Sequence, residues 1–244
     1  DHSDVMSARN TGFALMAASS IQEIMDLAVV SHLATLKTKV PFLNFFDGFR
    51  NSHEIQKIEM IDYDTIKEMV EMEYVEDFRN RALNPEAPRV KVGAQNPDVY
   101  FQGRETVNKY YDATPAIVQQ YMDELSNVIG RSYKLFDYVG AEDAEKLIIA
   151  MGSGCDTIEE TVNYLLSKGE KVGLVKVRLY RPFSVEALKN VIPASVKKIA
   201  VLDRTKEPGA IGEPLFLDVV AALHANKNYT IIGGRYGLSS KEFT

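Results

Sequence analysis

The most distinct hydrophobic pattern in this chain is a short run at 40–46, VPFLNFF, in which nearly every position is apolar. The run ends abruptly, because the next segment, DGFRNSHE at 47–54, is mostly polar or charged. A run of this length predicts a strand that is buried on both faces, as in parallel sheets. Ligands of open α/β sheets bind beyond the carboxyl ends of strands, so the 47–54 loop is the first candidate site. A solvated loop that caps a helix is the alternative.

The segment before this run predicts a helix between two strands. FALMAA at 13–18 is a short apolar strand pattern, and Ser20 and Glu23 have the spacing of a capping box. Apolar residues then recur at helical spacing over 21–38. The three elements predict a strand–helix–strand unit with a parallel strand pair. His32 falls in the apolar stripe of this helix, which favours a core or interface histidine over a metal or ligand contact.

The middle of the chain has a weaker pattern. Residues 55–61 predict one more strand or an extended edge, and 63–83 predicts a helix in two pieces with an acidic, solvated face. The stretch at 84–114 is rich in Pro, Gly and aromatic residues and predicts a long, irregular segment. Pro115 is suited to the first position of a helix that runs to about residue 129.

The second half alternates between strand and helix patterns. Because strands and helices alternate at this spacing, the pattern predicts a doubly wound, largely parallel sheet flanked by helices. The predicted strands are 147–152, 172–180, 198–204 and 229–234, and the predicted helices are 157–167, 185–191 and 214–224.

Composition and charge argue against several classes of protein and of site. The net charge of -6 and the pI near 5.4 argue against a sequence-independent nucleic-acid binder, which needs a basic surface. Cys155 is the single cysteine, which excludes an internal disulfide and a cysteine-rich iron–sulfur site and favours a reducing compartment. No apolar run approaches the ~20 residues that span a bilayer. The first residues carry neither an initiator methionine nor a signal peptide, so we expect this chain to be part of a longer polypeptide.

Two further loops carry candidate chemistry. Gly152-Ser153-Gly154 follows a predicted strand, but it lacks the lysine of a phosphate-binding loop and favours a tight turn. Asp203, Arg204 and Lys206 leave another strand, where the basic pair could bind an anionic group or form interdomain ion pairs. Cys155 is interpreted as a buried or incidental thiol.

Several long stretches resemble the pyruvate:ferredoxin (flavodoxin) oxidoreductase family, and the resemblance extends over essentially the whole chain. They are DHSDVMSARNTGFALM, VPFLNFFDGFRNSHEIQKIE, NPDVYFQGRE, GRSYKLFDYVGAEDAE, KVRLYRPFS, VLDRTKEPGA and GRYGLSSKEF. The resemblance implies an α/β fold in two domains with largely parallel sheets flanked by helices. Residues 1–131 would be the latter part of the pyrimidine-binding domain of a thiamine-diphosphate enzyme, and 132–244 a transketolase C-terminal-like domain.

The resemblance also implies an activity for a chain about five times longer. The family decarboxylates pyruvate oxidatively to acetyl-CoA with thiamine diphosphate, Mg²⁺, coenzyme A and [4Fe–4S] clusters, and passes electrons to ferredoxin or flavodoxin. The expected partners are the remaining domains of the same chain and, in the full enzyme, a second copy, with no nucleic acid and no membrane. The expected location is the cytoplasm or a reducing organelle.

The resemblance places the family's catalytic residues and its metal and cluster ligands outside this chain. We therefore expect no catalytic or metal-binding residue here, no cofactor held by these residues alone, and no turnover by this piece alone. A self-standing binding or docking module for an anionic small molecule is the alternative. The residues expected to line the cofactor pocket are Asp4, Arg9, Asn10 and Thr11, and those expected to fix the adjoining loop are Asp47, Arg50 and His53.

Overall fold

The computed structural model describes residues 1–89, 93–226 and 228–243. The helices are Ser3–Ser7 (α1), Ile21–Thr38 (α2), Arg50–His53 (α3), Tyr63–Met69 (α4), Met72–Asn80 (α5), Pro97–Glu105 (α6), Asn108–Ile129 (α7), Gly154–Ser167 (α8), Val185–Val191 (α9) and Pro214–Leu223 (α10). The strands are Ala14–Ala17 (β1), Phe42–Phe45 (β2), Phe136–Gly140 (β3), Lys146–Ala150 (β4), Val172–Val177 (β5), Leu179–Arg181 (β6), Lys198–Asp203 (β7) and Thr230–Arg235 (β8). The predicted α/β class, with parallel sheets flanked by helices, is confirmed.

The first sheet has the strand order β2-β1-β6. Strands β1 and β2 are parallel, and α2 connects them, which confirms the predicted strand–helix–strand unit. The capping signal is also confirmed, because the Ser20 side chain accepts a hydrogen bond from the Glu23 backbone N–H at 3.2 Å. Helix α2 has the predicted bounds because this local signal fixes where it begins.

Two predictions in this region are wrong. Strand β2 lies at the edge of the sheet, and most of its side chains are half-buried rather than buried on both faces. Its only strand neighbour among the described residues is β1, so its other edge pairs with no strand of that part of the chain. His32 is exposed and is therefore not a core histidine, because the buried face of α2 follows Leu27, Val30 and Ala34 and His32 lies beside that stripe. The other half of that prediction, an interface histidine, stays a prediction.

The second sheet has the order β3-β5-β4-β7-β8. Strands β5, β4, β7 and β8 are parallel, whereas β3 is antiparallel to β5 and was not predicted. The connection from β4 through α8 leads to one side, to β5, and the connection from β7 through α10 leads to the other side, to β8. The topological switch point, where ligands of such sheets bind, therefore lies between β4 and β7.

The predicted strand at 172–180 is divided in two at Arg178. Strand β5 stays in the second sheet, and β6 pairs antiparallel with β1 in the first. Where the chain passes from one sheet to the other, the backbone N–H groups of Arg178 and Leu179 both donate to the Leu135 carbonyl oxygen, at 3.0 and 3.3 Å. A single strand was the wrong prediction because this change depends on a partner distant in sequence.

The break at Arg178 also carries a buried charge cluster. Its guanidinium donates to Glu23 on α2 at 2.7 Å and pairs with Asp137 on β3. Burial alone raises the pKa of Glu23, but the charge and hydrogen bond of Arg178, together with the hydrogen bonds of Ser19, outweigh burial and lower that pKa. The cluster therefore ties α2 to the second sheet.

The middle segment differs from its prediction. The described structure has no strand at 55–61, whereas α4 and α5 confirm the predicted helix in two pieces. The stretch predicted as irregular contains α6 and the start of α7, and Pro115 lies inside α7 instead of opening it. Helix α7 packs along α2 and buries Val118, Tyr121 and Met122, so tertiary packing outweighs the local preference of proline.

A single large hydrophobic core joins both sheets. Its most deeply buried side chains include Leu15 and Met16 on β1, Tyr121 on α7, and Phe136 on β3. No helix in the described part of the chain is long and apolar enough to cross a membrane.

Candidate functional site

A buried carboxylate at the end of β2 is the centre of the site. Asp47 is fully buried and contacts the His2 ring through Nε2. Its other oxygen, Oδ2, accepts the backbone N–H of Ser153. The Arg204 guanidinium lies 3.2 Å from Oδ1, the oxygen that contacts His2. We call Asp47, His2, Ser153 and Arg204 the Asp47 cluster.

Charge complementarity keeps Asp47 ionised. Burial by itself raises the pKa of this carboxyl, but the hydrogen bonds from His2 and Ser153 outweigh it and hold the pKa well below its usual range. Arg204 also donates to the Ser153 hydroxyl at 3.1 Å and to the Gly237 carbonyl oxygen at 2.9 Å. Because these contacts come from both sheets, the Asp47 cluster fixes the two sets of strand ends relative to each other.

The glycines of the Gly152-Ser153-Gly154 turn allow this close approach. Gly152 has a φ of +78°, and a Cβ there would lie 2.7 Å from the Asp47 Oδ2 and 2.9 Å from the His2 Nε2. At Gly154 a Cβ would meet the Tyr236 ring. The predicted tight turn is confirmed, and it packs α8 against the Asp47 cluster.

Clefts open on two sides of the cluster. The first, the N-terminal cleft, has a volume of about 270 Å³. It lies beside α1 and the end of β2, so it combines acidic side chains with an apolar wall. It is lined by Asp1, His2, Asp4, Val5, Leu43, Phe45 and Phe46.

The second cleft, the switch-point cleft, has a volume of about 250 Å³. Its lining residues follow β1, β2, β4, β7 and β8, so the carboxyl ends of parallel strands from both sheets open onto it. They include Ser19, Asn51, Ser153, Arg204 and Tyr236.

The four residues expected to line the cofactor pocket do not converge. Asp4 lines the N-terminal cleft. Arg9 instead pairs with Glu207 at 2.8 Å. Asn10 and Thr11 are exposed, and the Thr11 hydroxyl donates to the carbonyl oxygen of Ala8.

The residues expected to fix the loop have three different environments. Asp47 is the buried centre described above. Arg50 lies on the rim of the switch-point cleft and pairs with Glu242 at 2.7 Å. His53 is exposed and stacks on Phe49 with the ring centroids 5.3 Å apart.

Sequence reasoning missed His2 and Asn51. His2 is buried and its ring meets the Phe45 ring edge-on at 5.5 Å. The strand-end rule pointed to Asp47, Ser153 and Arg204, but no local pattern shows that His2 contacts a residue so distant in sequence. Asn51 is buried because its amide N–H donates to the Ser19 carbonyl oxygen at 3.1 Å.

Asp203, at the end of β7, has a structural role. Its two oxygens accept the backbone N–H groups of Leu215 and Phe216, at 2.9 and 3.0 Å, in the first turn of α10. Burial raises the pKa of Asp203 to about 6, although the two amide hydrogen bonds act in the opposite direction. The predicted buried thiol is confirmed for Cys155, and burial raises its pKa well above the usual range.

Family profiles match most of the chain. The family described as pyruvate flavodoxin/ferredoxin oxidoreductase, thiamine diphosphate-binding, matches residues 1–123. The family described as pyruvate:ferredoxin oxidoreductase core domain II matches residues 144–241.

Curated relatives agree with these matches. The pyruvate:ferredoxin oxidoreductase of Moorella thermoacetica is 61% identical over 244 residues, covering 100% of this chain and 21% of that protein. A pyruvate-flavodoxin oxidoreductase of Nostoc is 54% identical, covering 100% of this chain and 22% of that protein. The chain thus spans about a fifth of the length of these relatives.

A solved structure has a similar fold. The 2-oxoglutarate:ferredoxin oxidoreductase from Magnetococcus marinus, solved with 2-oxoglutarate, coenzyme A and succinyl-CoA bound, has a TM-score of 0.58 and 16% identity. The match covers 99% of this chain and 43% of that one. At this identity the likeness concerns the fold alone.

Proposed function

This chain belongs to the pyruvate flavodoxin/ferredoxin oxidoreductase family, and we propose that it forms one wall of the thiamine diphosphate pocket in a larger enzyme. That enzyme would decarboxylate pyruvate oxidatively to acetyl-CoA and pass electrons to ferredoxin or flavodoxin. The observation that carries the proposal is the N-terminal cleft, which lies within the segment matched by the thiamine diphosphate-binding family.

The residues of this cleft fit part of the cofactor. Asp4 supplies a carboxylate and Leu43 and Phe46 supply an apolar surface, a combination that suits a polar aromatic ring. The cleft of about 270 Å³ is small for a whole thiamine diphosphate molecule, since ligand pockets typically have ~300–1,000 Å³. No three His, Cys, Asp or Glu side chains among the described residues come together as a metal site. This chain therefore fits one side of the cofactor.

The roles of this chain's residues are binding and positioning. The cofactor supplies the carbanion chemistry when bound. Asp4, Leu43 and Phe46 would orient it and exclude water from one side. The Asp47 cluster would hold that wall in place, because His2 itself lines the N-terminal cleft. Arg9, Asn10 and Thr11 are proposed to border the pocket once the rest of the enzyme is present.

The remaining partners follow from family membership. We infer that the full enzyme uses Mg²⁺, coenzyme A and [4Fe–4S] clusters held by other domains, and that it is a homodimer in the cytoplasm or a reducing organelle. Large exposed hydrophobic side chains support contacts with such domains, because exposed apolar patches mark interaction surfaces. They include Phe49, Ile55, Phe78, Tyr100 and Phe101.

We also propose the division into units 1–131 and 132–244, described as a partial pyrimidine-binding domain and a transketolase C-terminal-like domain. The two separate sheets support it. Strand β6 crosses the division, because it belongs to the second unit and pairs with β1 of the first.

Titration calorimetry with thiamine diphosphate and Mg²⁺ tests the proposal. We expect saturable binding by the full-length protein and none by the 244-residue chain alone. In the full-length protein, Asp4→Ala should weaken binding about tenfold, because a hydrogen bond to a charged group contributes ~1.5–3 kcal/mol. Asp98→Ala, at an exposed position on α6, should leave binding unchanged. Equal affinity of the Asp4→Ala and wild-type proteins would contradict the proposed wall.

The alternative of a self-standing module for an anionic small molecule gains no support from the switch-point cleft. Its lining carries the basic residues Arg50, Arg204 and Lys241 but also the acidic residues Glu54, Asp156 and Glu160. A purely anionic ligand would meet repulsion there as well as attraction.

A further inference from the structure

The two faces of the second sheet are covered unequally. On one face Ile149 and Val201 are fully buried in the large core, to which α10 also contributes. Successive residues of a strand point to opposite faces, so Ile148, Ala200 and Ile232, which are neighbours in the register, point to the other face. There Ile148 and Ala200 are only half-buried, and Ile232 is 61% exposed. The described part of the chain therefore leaves an apolar strip of the sheet uncovered.

This strip is the floor of a groove with a volume of about 540 Å³, which we call the α8 groove. Helix α8 forms one wall through Ile158, Thr161 and Leu165, and strands β4, β7 and β8 form the floor. Phe243 lies at the end nearest the switch-point cleft. Helices cover both faces of a mostly parallel sheet, so the α8 groove is where a second helix would pack beside α8.

The other end of the groove is basic. Lys146 and Lys198 are the first residues of β4 and β7, and they lie directly opposite each other in the register. Both side chains line the groove. Like charges that face each other on neighbouring strands destabilise a sheet. Among the ion pairs of the described residues, the contact of Lys146 with Glu170 at 3.6 Å balances one of the two charges. An anionic group at this end would balance the other.

Shape and charge together select an amphipathic helix as the occupant. Strand β7 has six residues, so the floor is about 20 Å long at ~3.3 Å per residue. A helix of about 12 residues has nearly the same length at ~1.5 Å per residue. Its apolar stripe would cover Ile148, Ala200 and Ile232, and its negative C-terminal end would meet Lys146 and Lys198. A purely apolar molecule would leave the lysines unbalanced, and a purely ionic one would leave the floor exposed.

We propose that the α8 groove is the docking site of an amphipathic helix from a part of the full-length protein outside residues 1–244, with an apolar stripe and Asp or Glu in its last turn. The chain spans 21% and 22% of the length of two curated relatives, so most of such a polypeptide lies outside it. A helix of the same polypeptide has a high effective concentration at the groove. The proposal does not depend on the thiamine diphosphate pocket, because no residue that lines the N-terminal cleft lines the α8 groove.

Photo-cross-linking in the full-length protein tests this site. The probe p-benzoylphenylalanine replaces Ile232 on the floor of the groove, and in the matched control it replaces Tyr164, which is also 61% exposed but lies outside the groove lining. We expect the probe at Ile232, and not at Tyr164, to cross-link to a segment outside 1–244 that has apolar residues at helical spacing followed by Asp or Glu. A product with residues 1–244 of a second copy, a product with a segment that lacks this pattern, or no peptide product would overturn the proposal.

Charge reversal tests the basic end of the groove. Lys198→Glu should lower the cross-linking yield at Ile232 about fivefold, because it repels the acidic last turn of the docked helix. The sheet itself should stay folded, since the new carboxylate faces Lys146 across the strands. Lys189→Glu, at an exposed position on α9, should leave the yield unchanged. Lysine in place of the acidic residues of the cross-linked segment should restore the yield in the Lys198→Glu protein. An undiminished yield in that protein would contradict the proposal.

Discussion

At the scale of single residues, the site is built on a buried carboxylate that is paired with buried hydrogen-bond donors and a buried guanidinium. Asp47 contacts His2, Ser153 and Arg204 within a few ångströms and without solvent. Removal of one member of such a cluster leaves another charge buried without compensation, and this costs more free energy than a surface ion pair ever contributes.

Asp47→Asn is therefore expected to lower the free energy of unfolding by about 3–5 kcal/mol, because it leaves the buried Arg204 uncompensated. Denaturant unfolding of both proteins measures this difference. The matched control is Asp143→Asn, which removes an exposed partner of Lys171 and should cost no more than ~1 kcal/mol. Equal effects of the two substitutions would show that the Asp47 cluster is not a stabilising centre.

Asp203 predicts a pH dependence of the opposite sign to that of Asp47. Its pKa rises from the model-peptide value of 3.8 to about 6 on folding, so its favourable contribution is complete below about pH 3.8 and is lost as the pH rises through 6. The stability of wild type relative to Asp203→Asn should therefore fall by about 2 kcal/mol between pH 4 and pH 6, out of about 3 kcal/mol over the whole titration. Urea unfolding across this range checks it, and a difference that is flat or rises with pH would contradict the burial argument.

Some of these residues could be predicted from the sequence, because the ends of buried strands can be located in it. Apolar runs that end in charged loops pointed to Asp47 and Arg204. Sequence reasoning did not reach His2, whose burial depends on a contact with a residue 45 positions away. It did not reach the ion pair of Arg9 with Glu207, 198 positions away, and the pocket-lining role of Arg9 stays a prediction. Long-range pairing of this kind has no local signal.

At the scale of elements, those fixed by local sequence signals were predicted correctly, and those that depend on tertiary packing were not. Helix α2 was predicted with its observed bounds because Ser20 caps it locally. Strand β6 and the position of Pro115 inside α7 were not predicted, because each depends on an element far along the chain. The turn before α8 depends on a local signal and on a distant contact. Its glycines are evident in the sequence, but the contact of Gly154 with Tyr236 is not.

Gly154→Ala tests that turn. A Cβ at this position would lie 2.7 Å from Cε2 of the buried Tyr236 ring, so the ring or the start of α8 must shift. We expect a loss of about 1–3 kcal/mol in the free energy of unfolding, as for other overpacked cores.

Gly48→Ala is the matched control, because no atom lies within 4 Å of a Cβ there and its φ is not in the left-handed region. It should change the stability by less than ~1 kcal/mol. Chemical denaturation of both variants gives the comparison, and a neutral Gly154→Ala would show that Tyr236 does not restrict the turn.

At the scale of the whole molecule, the two sheets are held together in three ways. Strand β6 extends the first sheet from the second half, Arg178 joins Glu23 to Asp137, and the Asp47 cluster joins the strand ends. This arrangement gives a rigid wall with clefts at one edge, but the chain spans about a fifth of the length of its relatives. Under the proposed function, this chain would position the cofactor, and the reacting groups would lie in other parts of the enzyme.

The most direct test of this claim is pyruvate-dependent reduction of a one-electron acceptor, measured with thiamine diphosphate, Mg²⁺ and coenzyme A. The account predicts turnover by the full-length protein and none by the purified 244-residue chain. Turnover by that chain alone, with no other protein added, would contradict it.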